Sequence, residues 1–472
     1  MTKAFPERGI PREAILARLG AQKEGDLASD GRAFAFVYDA GDELRGLARE
    51  AFAACMGING LDPTVYPSAR RIESQVVHAA LELLNAPEGA VGTATAGGTE
   101  SVMLAVKTAR DFFRDRVKRP KMLLPETAHA CFHKAAHYLG VEVVVVDVDP
   151  VTMRASVADA RAKLDDDVVL VVGSAPSYAH AVIDPIAELA ELAQQRGVLM
   201  HVDACVGGCV LPFMRDNGVE LPPFDFLVEG VTSISLDLHK YGFAPKGISL
   251  LLQRRRELRD AQYYACARWP GYAIVNSTTL GSKSVAAMGA ASAIIEWLGR
   301  EGYRARAREM WAATEKLVAA IDELDGVHLV ARPDMNLLAF TTDGGDVFEL
   351  ADRLTERGWH VQPTYAYGRS PAHIHLTLDP GNAARVDAFI ADLRASVVGL
   401  PPTELPPEGV VAMLEHLGSG GGGADTGALM NELGITDGRM PERSGAIHRL
   451  LNAASPGTRE RLLVLFIGEL FS

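Results

Sequence analysis

Ser233-Ile234-Ser235-Leu236-Asp237-Leu238-His239-Lys240-Tyr241-Gly242-Phe243-Ala244-Pro245-Lys246-Gly247 is the stretch whose reading decides the fold. An apolar strand ends here in a polar cluster with Lys240 at its tip. A lysine at the carboxyl edge of a sheet, preceded by a histidine, can form a Schiff base with an aldehyde. To react as a neutral amine it must be partly desolvated or held near other cations. A lone lysine after a strand is usually a solvated loop residue, so its surroundings decide its reading.

Short apolar runs recur around this stretch: Met122–Leu124, Val141–Val146, Val168–Val172, Val198–Val202, Ile234–Leu236 and Ile248–Leu252. They are rich in Val, Ile and Leu with little polar alternation, as expected for strands buried on both faces. Helix-patterned stretches lie between several of them, such as Val102–Phe113 and Ile186–Gln195. Alternating βα units predict a mostly parallel sheet with right-handed crossovers. Ligands of such sheets sit beyond the carboxyl ends of the strands.

Three features share that edge with Lys240. Val202-Asp203-Ala204 ends the preceding strand, and a carboxylate there can hold a pyridine nitrogen protonated. The small Ala204 lets a flat ring lie close. Thr95-Ala96-Gly97-Gly98-Thr99-Glu100-Ser101 opens a helix pattern, whose free N–H groups suit a phosphate. His129 follows the strand ending at Leu124, where an imidazole can stack on a planar cofactor. Each has a common alternative: a capping Asp, an N-capping turn, a polar loop histidine. Together, in this order, they form the set that pyridoxal 5′-phosphate needs.

With these residues in place, the sequence resembles the fold-type-I pyridoxal-phosphate enzymes of the group II decarboxylase family. Its sphingosine-1-phosphate lyase branch is the most similar. The likeness runs through Gly31-Arg32, Val37-Tyr38, Arg70-Arg71-Ile72-Glu73, Gly97 to Ser101, Ala128-His129-Ala130, Gly173-Ser174-Ala175-Pro176, His201 to Gly208 and Gly230 to Gly247. It covers roughly residues 30–400 and is most specific at the lysine motif. The resemblance implies a seven-stranded large domain, a small C-terminal α+β domain and a homodimer with the active site at its interface. It implies that Lys240 carries the internal aldimine and Asp203 pairs with the pyridine nitrogen. His129 and Ala204 would flank the ring, Gly98, Thr99 and His239 would hold the phosphate, and Ser174 would reach the ring hydroxyl. Tyr38, Asn59, His180 and Lys246 would face a small-molecule amine substrate. Tyr38, Asn59 and the loop with Ser282 would serve the neighbouring subunit.

The departures lie on the substrate side. The lyases usually show Asn-Pro-x-His-Pro-Asp, where this chain has Asn59-Gly60-Leu61-Asp62-Pro63-Thr64. In a partly buried site, Asp62 would repel a phosphate by an energy on the order of kilocalories per mole. The family's Gly-Ser-Arg-Pro-Gly is Gly281-Ser282-Lys283-Ser284-Val285, which keeps the charge but not the planar fork. Its Pro-His-Gly is Ala179-His180-Ala181. The expected activity is carbon–carbon cleavage of an amino alcohol by a retro-aldol step. His129, His180, Tyr38 and Lys240 are the candidate bases. The alternative is an amino-acid decarboxylase, for which Arg369 could supply a cation and which Asp62 somewhat favours. A third reading, an inactive paralogue, conflicts with the complete cofactor set.

The 472 residues divide, on this reading, into an arm (1–55), a cofactor domain (56–300), a small domain (301–400) and a tail (401–472). Gly418 to Gly423 form an expected flexible break in the tail, and the tail has no nameable counterpart. In the arm, Ile15, Leu16 and Leu19 have helical spacing, as do Leu44, Leu47, Ala51 and Phe52. The 47 Lys and Arg against 60 Asp and Glu leave a charge of −13, which argues against nonspecific nucleic-acid binding. Five scattered cysteines read as reduced, and Cys205 with Cys209 lacks a second pair for a metal. No apolar run has the length of a signal core or a membrane span. A cytoplasmic enzyme is expected.

Overall fold

Val, Ile and Leu runs form strands because branched side chains pack well on a pleated surface. The structure is a computed structural model and describes residues 5–418, 441 and 443–471. Seven strands make the main sheet: β1 (Val91–Thr95), β2 (Lys121–Pro125), β3 (Glu142–Val146), β4 (Val168–Ser174), β5 (Leu199–Asp203), β6 (Ser233–Leu236) and β7 (Ser249–Gln253). Their spatial order is β1-β7-β6-β5-β4-β2-β3. β2 to β6 are mutually parallel, and β7 runs antiparallel to both of its neighbours. The expected mostly parallel seven-stranded sheet is present.

Two strands differ from the expectation. β1 has no apolar run to announce it. It needs small residues, because a Cβ on Gly92 would lie 2.6 Å from Leu252 Cδ2 and 2.8 Å from Val77 Cγ1. β3 is not buried on both faces. It forms the sheet edge, where Glu142 and Val145 are exposed.

Helices Gly98–Phe112, Cys131–Leu139 and Ile186–Arg196 lie between the strands in sequence. A hairpin of β8 (Tyr264–Cys266) and β9 (Ile274–Asn276) follows β7. Helix Ala286–Asp322 then leads to the second sheet, and kinks at Gly299, whose φ is 55°. That sheet holds β10 (Val327–Leu329), β11 (Leu337–Thr342), β12 (Gln362–Thr364) and β13 (His373–Thr377), in the antiparallel order β10-β11-β13-β12. Pro363 sits in the edge strand β12, where a missing N–H is tolerated.

The main core fills the layers between the large sheet and its helices. A second core gathers Phe340, Phe348, Trp359, Ile374 and Phe389. Phe34, from the N-terminal lead, enters this second core, its ring 4.5 Å from that of Phe389. Its N–H donates to His360 O at 2.8 Å. The lead thus crosses from the second core toward Tyr38, which packs against the first. Helix Arg12–Ala21 buries none of its residues.

In the tail, Asp352 accepts from Ser444 N and Gly445 N at 2.9 and 3.1 Å, seating helix Gly445–Ala453 on helix Val347–Glu356. The break expected at Gly418 to Gly423 lies, beyond Gly418, outside the described residues. Among the described residues no helix is long and apolar enough to cross a membrane.

Candidate active site

β4, β5 and β6 end in register, with Ser174 beside Asp203 and Asp203 beside Ser235. Parallel strands so aligned deliver their last residues to one edge. A cavity of about 260 Å3 opens there. Gly98, Thr99, His129, Ser174, Asp203, His239 and Lys240 all line it.

The helix Gly98–Phe112 presents its first turn to this cavity. Glu100 accepts from Ala96 N at 2.6 Å and from Thr279 N at 2.8 Å, which locks the turn. A Cβ on Gly98 would lie 2.6 Å from Asp237 Oδ1 and 2.9 Å from Cys205 Sγ, so only glycine fits there. Asp203 Oδ1 accepts from Cys205 N at 3.0 Å and from Ser235 Oγ at 3.4 Å. Behind it, His201 bridges Ser233 Oγ and Ser235 Oγ at 2.8 and 3.1 Å, and burial pushes its pKa down to about 4. His129 Nδ1 accepts from Cys131 N at 3.2 Å. Ser174 Oγ is buried and has no hydrogen-bond partner among the described residues. Buried hydroxyls are normally partnered, so this one calls for a ligand oxygen or water.

The polar turn after β6 carries the strongest electrostatics. Lys240 Nζ lies 2.9 Å from Asp237 Oδ2. Burial pushes the Lys240 ammonium down, but Asp237 outweighs it and holds the group above the ordinary lysine range. The free enzyme therefore stores a protonated Lys240, not the neutral amine that desolvation alone would give. His239 Nδ1 is 2.9 Å from Ile248 O, and burial lowers its pKa against the pull of Asp237. An aldehyde-bearing pyridine with a phosphate fits this set: a lysine, a strand-end carboxylate, a glycine-floored helix terminus and an unpartnered hydroxyl.

Other expected residues stand outside the cavity lining. Ala204 is fully buried directly after Asp203. Tyr38 sits edge-on to Tyr241 at 5.1 Å, and Lys246 Nζ lies 4.7 Å above its ring. Burial holds the Tyr38 phenol protonated, although Lys240 pulls the other way. His180 is buried, bonds Ser370 Oγ at 2.8 Å, and is pushed by burial down to about 3. Asn59 Nδ2 donates to Ser282 Oγ at 3.4 Å. Asp62 is exposed, and not in the partly buried setting expected for it; its carboxylate accepts from Thr64 N and Oγ1 at 2.8 and 2.6 Å. It lines a separate groove of about 980 Å3 with Lys283 and Arg259. Arg369 lies 3.4 Å from Asp147, not at the cavity.

Asp237, Cys205 and Tyr178 are among the lining residues that have no role in the sequence reading. Asp237 carried a signal, an acid three residues before the lysine. Tyr178 carried none, because its ring is placed at the cavity by tilted packing against His375, with ring centroids 4.3 Å apart, and by a 2.8 Å hydrogen bond to Gln362, both remote in sequence.

The site is that of a pyridoxal-phosphate-dependent lyase. The pyridoxal-dependent decarboxylase conserved domain matches residues 28–343, so the chain belongs to that family. A C-terminal helix-turn-helix domain of pyridoxal-dependent enzymes matches residues 422–469, which gives the tail the counterpart that the sequence reading lacked. The chain is 36% identical over 442 residues to a sphingosine-1-phosphate lyase of Arabidopsis thaliana, covering 92% of this chain and 80% of that one. The Dictyostelium discoideum sphingosine-1-phosphate lyase is 35% identical over 395 residues, 83% of this chain and 74% of that one. A solved structure of the Burkholderia pseudomallei sphingosine-1-phosphate lyase matches at TM-score 0.81 and 33% identity, covering 85% of this chain and 93% of that one.

Proposed function

We propose that this lyase cleaves a carbon–carbon bond of a β-hydroxy amine, releasing an aldehyde in a retro-aldol reaction. The observation that carries the reading is the convergence of Lys240, Asp203, His129 and the Gly98–Thr99 turn on one cavity. The near full-length similarity to sphingosine-1-phosphate lyases favours cleavage of the side-chain bond over loss of a carboxylate.

Pyridoxal 5′-phosphate, when bound, supplies an electron sink for the bond that breaks beside the amine. The protein's own groups do the rest. Gly98 and Thr99 N–H groups, with His239, bind the phosphate. Asp203 would keep a proton on the pyridine nitrogen, and His129 would flank the ring. Ser174 Oγ, unpartnered among the described residues, would donate to the ring oxygen. Lys240 Nζ is the nucleophile. His129 lines the cavity as a group able to take the proton of a substrate hydroxyl, and Lys240 can do so only after it has been released as a neutral amine. His180 is a weaker base candidate, since burial lowers its pKa to about 3 and so disfavours its taking up a proton, and Ser370 occupies its Nε2. Tyr38 and Lys246 would flank the substrate side, where the protonated phenol is available as a hydrogen-bond donor.

The reading includes a homodimer in which Asn59 and Ser282 serve the neighbouring subunit and Asp62 adjoins that substrate space, whereas Tyr38, expected to serve the neighbour, lies within electrostatic reach of Lys240 of its own chain. The arm (1–55), cofactor domain (56–300), small domain (301–400) and tail (401–472) are its proposed units. A cytoplasmic setting accords with five cysteines that are all free. Mass spectrometry of products from a panel of phosphorylated and unphosphorylated amino alcohols and amino acids tests the reaction. An aldehyde plus a shortened aminoalkyl product supports it; carbon dioxide plus a primary amine replaces it with decarboxylation.

A further inference from the structure

Asp237 is the buried charge of the cavity without a task in the reaction described above. It is 2% exposed. Oδ2 lies 2.9 Å from Lys240 Nζ, and Oδ1 accepts from Ser249 Oγ on β7 at 2.6 Å. The bare Cα of Gly98 leaves the space that the carboxylate fills. Two strands and a helix terminus thus fix this acid beside the nucleophile.

We propose that Asp237 is the counter-ion of the reacting nitrogen, holding a proton on Lys240 Nζ both before and after that nitrogen is joined to the cofactor's aldehyde carbon. The inference rests on the cofactor reading of this cavity. The chemistry conserves the charge that Asp237 faces. An ammonium carries three protons. When the carbon–nitrogen double bond forms, two of them leave with the carbonyl oxygen as water. The third stays on nitrogen, and the single positive charge is retained. A carboxylate suited to the ammonium therefore suits the protonated carbon–nitrogen double bond, which is the form a substrate amine attacks readily.

The other groups facing this nitrogen do not replace Asp237. Tyr38, Tyr178, Cys131 and Cys205 are raised by burial and stay protonated and neutral. His239 Nε2 lies 3.7 Å from the same Oδ2, and Lys246 opposes the proton from the next loop. Asp203 is engaged by Cys205 N and Ser235 Oγ. The cofactor phosphate adds a negative charge at the Gly98–Thr99 end, and that charge is common to wild type and variant.

The test follows the absorption of protein reconstituted with pyridoxal 5′-phosphate against pH. The protonated double bond absorbs in the visible and its deprotonated form in the near ultraviolet. Asp237→Asn is expected to lower the midpoint between the two by about one to three pH units, the usual effect of one contact charge. Asp237→Glu should lie closer to wild type. An unchanged midpoint in Asp237→Asn overturns the proposal and leaves Asp237 as a structural pin of the turn. If that variant does not fold, wild type alone decides: its visible band should persist beyond about pH 9, and loss near neutral pH contradicts the proposal. A wild type that forms no visible band at all refutes the cofactor reading instead.

Discussion

In the cavity of about 260 Å3, polar groups arrive from three strand ends and a helix terminus and point at shared space. In the groove of about 980 Å3, the acids and Lys283 are engaged by the fold, while Arg259 Nε is buried without a hydrogen-bond partner among the described residues. Lys283 lies 3.4 Å from Glu73, Glu73 accepts from Ala94 N at 2.9 Å, and Asp62 caps its own turn through Thr64. The difference teaches where a ligand is awaited. An unpartnered Ser174 hydroxyl and a glycine floor are costly unless something else binds there. Lys283, Glu73 and Asp62 of the groove are already engaged by the fold, so changes at them should tune selectivity and leave the chemistry intact.

Substitutions can break this contrast. Lys240→Ala should abolish the visible chromophore and lower kcat by about a thousandfold or more, read by absorption and product formation. Asp203→Asn should cost roughly a hundredfold in kcat, because an amide no longer holds the pyridine proton; stopped-flow turnover checks it, with cofactor binding largely retained. Gly98→Ala drives a Cβ into Asp237 and Cys205. Overpacking of this kind costs about 1–3 kcal/mol, which should appear as weaker cofactor binding by fluorescence titration.

Acid sharpens the same contrast. Burial pushes His201 down to about 4 and both His180 and His375 down to about 3, from an ordinary 6.5. The folded state prefers each imidazole neutral, so their contribution is complete above pH 6.5. It is lost as the pH falls toward 4 and 3. Asp184 and Asp379, raised by burial to about 6, act oppositely: their contribution is complete below pH 3.8 and lost as the pH rises through about 6. With three histidines against two acids, thermal melting should shift to lower temperature on acidification, and His201→Gln should shallow the slope. The smallest effect belongs to the groove. Asp62→His should leave the chromophore unchanged and raise kcat/KM for phosphorylated over unphosphorylated amino alcohols only a few-fold, because an exposed charge is screened.

Much of this architecture was legible in the sequence where one residue type announces itself. Buried apolar runs mark β2, β4, β5 and β6, and residues at or just beyond their ends (His129, Ser174, Asp203 and Asp237) meet at the cavity. β1 was not legible, because Gly92 is held to the room that Leu252 and Val77 leave, a constraint that only packing reveals. Asp237 stood within the quoted stretch and still had no role. Its meaning comes from Ser249 on a later strand and Gly98 from another helix, which close around it in space. His180 was read as substrate-facing, but it is turned to Ser370 by a loop contact remote in sequence.

Borohydride reduction of the reconstituted protein, followed by peptide mass spectrometry, tests the central claim most directly. The account predicts a single stable pyridoxyl adduct on Lys240. An adduct on another lysine, or none, would contradict it.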